Sequence, residues 1–264
     1  MIDANATAPR GAAAPAAAPA AAAAPPAASV TEAAYHRLRH ALLAGEVMPG
    51  AKLKIGELCE RMGFNLSAMR EALTRLAAEG VVVAEPQRGF RAAPISAEDL
   101  ADLTRVRIDI ETICLVRSME HGDVAWEAGV VAAAHALART PKPNPTSDVP
   151  GYAQWRTVHA AFHDALCAGC GSPWLLRLRE QLNVQNQRYL WLSLKLSGGR
   201  RAADEEHRRL AEAVLARSFA TVPTLISDHF LVTTNSLLES PLLNAAPATA
   251  TPKRRRAAER ALPG

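Results

Sequence analysis

Leu66-Ser-Ala-Met-Arg-Glu-Ala-Leu-Thr-Arg-Leu-Ala-Ala-Glu-Gly80, followed at once by Val81-Val-Val-Ala-Glu-Pro-Gln-Arg-Gly-Phe-Arg91, decides the fold of the first half of this chain. Its first part is apolar at helical intervals, with Met69, Leu73 and Leu76 on one stripe, and it stops at a glycine. Its second part changes period: two short β-prone runs flank a Pro86–Gly89 turn. Upstream, Thr31 is a plausible N-cap, and Tyr35, Leu38, Leu42 and Leu43 follow at helical spacing up to Gly45. Met48-Pro49-Gly50 breaks that helix, and Ile55–Met62 forms a short one ending at Gly63. Helix, helix, turn, helix, hairpin is the order of a winged helix-turn-helix, with Leu66–Glu79 as recognition helix.

Beyond Pro94-Ile95-Ser96, a connector that turns into an N-cap, the pattern is helical throughout. Helices are predicted over 97–120, 124–138, 151–169, 173–195, 201–216 and 219–239, with a Pro/Asn/Thr/Ser loop at Pro141–Pro150. Helices of this length without strand signals pack by default as an antiparallel bundle. The expected fold class is therefore mainly α. Four segments follow: a disordered Ala/Pro-rich extension over 1–29, a winged helix-turn-helix over 30–94, a helical domain over 95–240 and a disordered basic tail over 241–264.

Composition narrows the function. Met1–Ser29 has one arginine and interrupting prolines, which suits a disordered extension and not a secretory signal. No apolar run approaches the ~20 residues of a membrane span, and four scattered cysteines do not make a disulfide framework. A cytoplasmic protein is expected. The tail carries Lys253, Arg254, Arg255, Arg256 and Arg260 against Glu259 alone, and so accounts for the entire formal charge of +4. The basicity of the chain therefore says nothing about its folded part.

Eight histidines occur, and four of them form a pattern. His159 and His163 lie four apart on the helix Trp155–Leu166, the spacing of the zinc-protease H-E-x-x-H motif. Ala160 stands where that motif has its general-base glutamate. His207, after Asp204-Glu-Glu, falls on the predicted 201–216 helix and His229, after Asp228, on the 219–239 helix that follows, two antiparallel helices across a short turn. His36 and His40 also lie four apart, but beside charged neighbours on a solvated face, and His121 and His135 have no partner at ligand spacing. Any single one of the four, alone, is better read as a hydrogen-bonded core residue. Cys167-Ala-Gly-Cys170 closes a helix and does not open one, so no thiolate function is assigned to it.

Val47-Met-Pro-Gly-Ala-Lys-Leu53, Ile55-Gly-Glu-Leu58, Met69–Gly80 and Gln87-Arg-Gly-Phe-Arg91 resemble the DNA-binding domain of the GntR family of bacterial repressors. The second half, beginning at Arg105-Val-Arg-Ile-Asp-Ile-Glu111, resembles the FCD-type effector domain of its FadR-like subgroup. The resemblance implies a homodimeric, ligand-responsive repressor that grips double-stranded operator DNA and has no membrane partner. Its candidate DNA contacts are Ser67, Arg70, Arg75, Arg88 and Gly89, with an ion pair to Glu71 or Glu79 as the alternative for Arg75. Leu66 departs from the pattern, for the family has a base-reading arginine in that run and leucine cannot donate to guanine.

The resemblance also implies a metal held by His159, His163, His207 and His229, the first of which replaces the family's aspartate. Four imidazoles suit Zn²⁺ or Ni²⁺ better than Mg²⁺ or Ca²⁺. Arg107 is the expected carboxylate-binding residue, with an intrahelical pair to Glu111 as its alternative. Arg188 and Tyr189 are further pocket candidates. The implied effector is a small carboxylate, glutarate or another dicarboxylate, with an aromatic or sugar acid as alternative. A metalloenzyme is the competing class. It lacks a base at Ala160 and gives the helix-turn-helix no role.

Overall fold

The computed structural model describes residues 28–142, 147–197, 203–240 and 243. Nearly all of the Ala/Pro-rich extension and of the basic tail lie outside the described residues, as do the middle of the Pro141–Pro150 loop and the start of the predicted 201–216 helix.

The first unit is built from α1 (Ala28–Leu43), β1 (Lys52–Leu53), α2 (Ile55–Met62), α3 (Leu66–Ala78), β2 (Val82–Glu85) and β3 (Gly89–Ala92). Helix α1 starts at Ala28, three residues before Thr31, so Thr31 lies inside the helix and is not its N-cap. Asn65, not an α3 residue, caps the recognition helix: its Oδ1 accepts from the Ala68 N–H at 2.9 Å. The wing is three-stranded, in the order β1-β3-β2, where the sequence shows only a hairpin. Lys52 pairs with Arg91 and Val82 with Ala92, both antiparallel. Leu38, Met69, Leu73 and Leu76 are fully buried where these elements meet.

The second unit is all helical among the described residues: α4 (Ala97–His121), α5 (Val124–Arg139), α6 (Val149–Cys167), a 3-10 turn at Ala168–Cys170, α7 (Pro173–Ser197), α8 (Asp204–Leu215) and α9 (Val222–Leu238). Ser96 and Asp123 cap α4 and α5 through their side chains. Leu115, Met119, Phe162, Leu166, Leu210 and Ile226 form the centre of its core. A smaller cluster of Ile95, Leu100, Tyr189 and Leu237 seals the junction between the two units. Val184 of α7 is 8% exposed and packs not into its own bundle but into the core of the winged helix. No described helix is long and apolar enough to cross a membrane.

Candidate metal centre and effector cavity

Helical periodicity puts His159 and His163 on one face of α6, and the antiparallel return of α8 and α9 brings His207 and His229 against it. Their ligand atoms all lie within 4.8 Å of one another. His159 Nε2 is 3.1 Å from His207 Nε2 and 3.3 Å from His163 Nε2. A ring nitrogen carries either one proton or one lone pair, so hydrogen bonding alone serves both contacts of His159 Nε2 poorly. A common cation serves them better. Zinc–nitrogen bonds of about 2.0–2.1 Å in a tetrahedron place neighbouring nitrogens roughly 3.3–3.4 Å apart. The residues present therefore fit a divalent ion of the imidazole-preferring kind.

His163, His207 and His229 are buried and His159 is half-buried. Burial holds the His163 imidazole well below its ordinary range, and His159, His229, His207 and Arg179 press the same way. That favours the neutral, metal-binding form. His229 Nδ1 lies 2.8 Å from Glu206 Oε2, a carboxylate that orients the ring. The sequence places Glu206 beside His207, and its service to a different histidine was not legible there.

The imidazoles close one end of a cavity of about 590 Å³, a size suited to a small metabolite. His159, His163 and His229 face into it; His207 stands behind them. Tyr152, Trp155 and His159 stack in series along one wall, at 5.6 and 4.8 Å between centroids.

Arg107 lines the cavity as expected, but without the intrahelical pair to Glu111. Glu111 is taken by Arg179, which the sequence reading missed: Arg179 Nε donates to Glu111 Oε2 at 2.7 Å and its Nη2 to Oε1 at 3.1 Å. Arg179 Nη1 also donates to Asp164 at 2.6 Å, so that carboxylate is committed to structure. Arg107 keeps a 3.3 Å bond to Asn183 and stacks 4.1 Å over Phe230, while its buried Nε has no hydrogen-bond partner. Burial lowers its pKa to about 10, with Arg179 adding to that and Glu111 opposing it, so it is still a cation near neutrality. Arg156, lowered by burial in the same wall, and Lys142 add positive charge. The cavity wall thus gathers Arg107, Lys142, Arg156 and Arg179 beside the carboxylates of Glu111, Asp164 and Glu180.

Arg188 and Tyr189 are placed elsewhere. Tyr189 is fully buried at the junction, donating its hydroxyl proton to Asp99, and Arg188 donates to the Pro94 carbonyl and to Gln185. The reason is rotational: Asn183, Asn186, Gln187 and Leu190 form the stripe that lines the cavity, and residues 188 and 189 project from other faces of α7.

On the winged helix, Ser67 and Arg70 stand exposed on α3, Arg88 on the exposed turn between β2 and β3, and Gly89 at the exposed start of β3. That turn needs left-handed backbone at Gln87 and Gly89. Arg75 is drawn away from this surface. Five residues after Arg70, it points to α1, where it is 2.6 Å from Glu32 and 4.0 Å over the Tyr35 ring. Leu66 is 55% exposed at the start of α3. Thr74, exposed one turn beyond Arg70, was not singled out in the sequence; its place on the Arg70 face was the available signal.

Residues 30–91 match the family described as bacterial regulatory proteins, gntR family, and residues 102–232 match the FCD domain. The HTH-type transcriptional repressor GlaR of Escherichia coli (strain K12) is 32% identical over 75% of this chain and 90% of its own. An uncharacterised HTH-type regulator of Paraburkholderia xenovorans (strain LB400), BphR, is 34% identical over 75% of this chain and 81% of its own. Among solved structures, Escherichia coli McbR/YncC superposes with a TM-score of 0.64 at 20% identity, covering 79% of this chain and 96% of that one.

Proposed function

The chain belongs to the GntR family of bacterial regulatory proteins and is a DNA-binding transcriptional regulator with an FCD domain, and on that premise we propose that it is a metal-dependent repressor released or engaged by a small carboxylate. Acting as a homodimer, it sets Ser67, Arg70 and the Arg88–Gly89 wing tip against two half-sites of an operator. His159, His163, His207 and His229 hold a divalent ion, Zn²⁺ or Ni²⁺, which when bound supplies a cationic anchor for one carboxylate. Arg107 receives an anionic oxygen beside it, and the Tyr152–Trp155 wall covers the ligand's carbon chain. A short dicarboxylate such as glutarate fits this distribution of charge.

The observation that carries this reading is the convergence of four imidazoles at one end of a cavity that also holds a buried, underbonded guanidinium. A thermal-shift series tests it. Zn²⁺ should raise the melting temperature of chelator-treated protein, and glutarate should raise it further only in the metal-loaded form. No shift with any mono- or dicarboxylate would end the sensor reading.

A further inference from the structure

Helix α7 has two working faces. One carries the cavity stripe of Asn183, Asn186, Gln187 and Leu190. The other grips the DNA-binding unit: Val184 enters its core, and Gln185 Nε2 donates to the Glu79 carbonyl at 2.5 Å. Glu79 is the C-cap of the recognition helix α3. It is also a meeting point for α1, since Tyr35 donates to its Oε1 at 2.7 Å and Arg39 Nε lies 3.7 Å from its Oε2. The next residue, Gly80, has φ +73° and admits Gln185 closely: a Cβ there would lie 3.1 Å from Gln185 Nε2. Arg188 braces the arrangement, donating to Gln185 Oε1 at 2.6 Å and to the Pro94 carbonyl of the connector.

We infer that Gln185 is a positioning residue for DNA binding, the contact through which occupancy of the cavity reaches the recognition helix. This rests on the reading of the cavity as an effector site. The physical argument is stiffness. Asn183 and Gln185 are two residues apart on one helix, so their side chains point to opposite sides and cannot move independently by much. When an anion replaces Asn183 as the partner of Arg107, any rotation or shift of α7 is delivered at the other face to the C-terminus of α3. Shifts of an ångström or two in packed helices are the usual scale of such transitions. Arg39 shows how near the units are: its charge bears on both Arg156 and Glu180 in the cavity wall, and it opposes the burial that raises the Glu180 carboxyl.

The test uses the full-length, zinc-loaded protein and Gln185→Met, which keeps the length of the side chain and removes the amide donor. Operator binding is read by fluorescence anisotropy with and without glutarate, and glutarate binding by calorimetry on free protein. The expected result is a variant that melts at the wild-type temperature and binds glutarate with a Kd within about threefold of wild type, with the glutarate effect on operator affinity cut by tenfold or more. By reciprocity, operator DNA should alter glutarate affinity in the wild type and hardly at all in the variant. A variant that responds to glutarate as fully as the wild type overturns the relay while leaving the effector site standing. If the wild type binds neither glutarate nor any other acid offered, the effector site and the relay fall together.

Discussion

Glu206 Oε2 and His229 Nδ1 lie 2.8 Å apart, and that contact leaves Nε2 as the ring nitrogen of His229 available to a metal. Carboxylates in this position fix the ring and raise its basicity, at a typical value of 10–100-fold in metal affinity. Glu206→Ala should therefore weaken Zn²⁺ binding by about that factor in chelator competition. An unchanged zinc affinity would show that the carboxylate orients nothing.

His159 gives the cluster a neutral ligand where a carboxylate would subtract one charge. Unit charges 4 Å apart interact by about 4 kcal/mol at an effective dielectric constant near 20. A third of that is roughly tenfold in affinity. His159→Asp, assayed with zinc bound, should thus lose about tenfold in glutarate affinity. Equal binding by the two proteins would mean that the net charge of the site does not govern the ligand.

Arg179 and Glu111 form a buried bidentate pair, at 5% and 3% exposure, that ties α7 to α4. Arg179→Met strands a carboxylate in the core, and urea denaturation should register a loss of about 3–5 kcal/mol. Asp164 meets the same arginine from a side chain that is 60% exposed, so Asp164→Asn should cost less than about 1 kcal/mol. Equal losses would refute the distinction.

Arg70 and Arg75 share a helix but not a surface. Arg70→Ala should weaken operator binding by about 10–100-fold, the ~1–3 kcal/mol range of a base-reading arginine. Arg75→Ala, which removes a contact to Glu32 and Tyr35 of α1, should change it by less than about threefold. Gel-shift titrations at fixed salt measure both, and a reversed order would relocate the DNA-reading face.

Leu66 opens the recognition helix with an apolar side chain in solvent. In a major groove its only favourable base contact is a thymine methyl. Selection from randomised operators should return thymine at one position of each half-site, and Leu66→Arg should move that preference to guanine. The same preference from both proteins would remove Leu66 from the readout.

The winged helix was legible because each of its signals is local: the stripe of Met69, Leu73 and Leu76, the stops at Gly63 and Gly80, the Pro86–Gly89 turn. Strand β1 was not, since two residues cannot display an alternation, and only the ladder from Lys52 to Arg91 reveals it. The four histidines could be proposed together from spacing and from family resemblance. Arg179 could not, because nothing near it in sequence announces a partner 68 residues upstream. Arg188 and Tyr189 were assigned to the cavity from residue type. The rotation of α7, fixed by where Val184 finds its core, decided otherwise.

Val184 also bears on how freely the two halves of such proteins can be exchanged. The socket it fills belongs to the DNA-reading half, yet the plug is encoded about ninety residues downstream of the Pro94 connector. A chimera joined at Pro94 would inherit an open hole in the core of its DNA-reading half unless the new helical half happened to offer a similar apolar knob at the same height. Modularity here ends at the covalent chain: the seam that looks like a linker in sequence is, in three dimensions, a shared core.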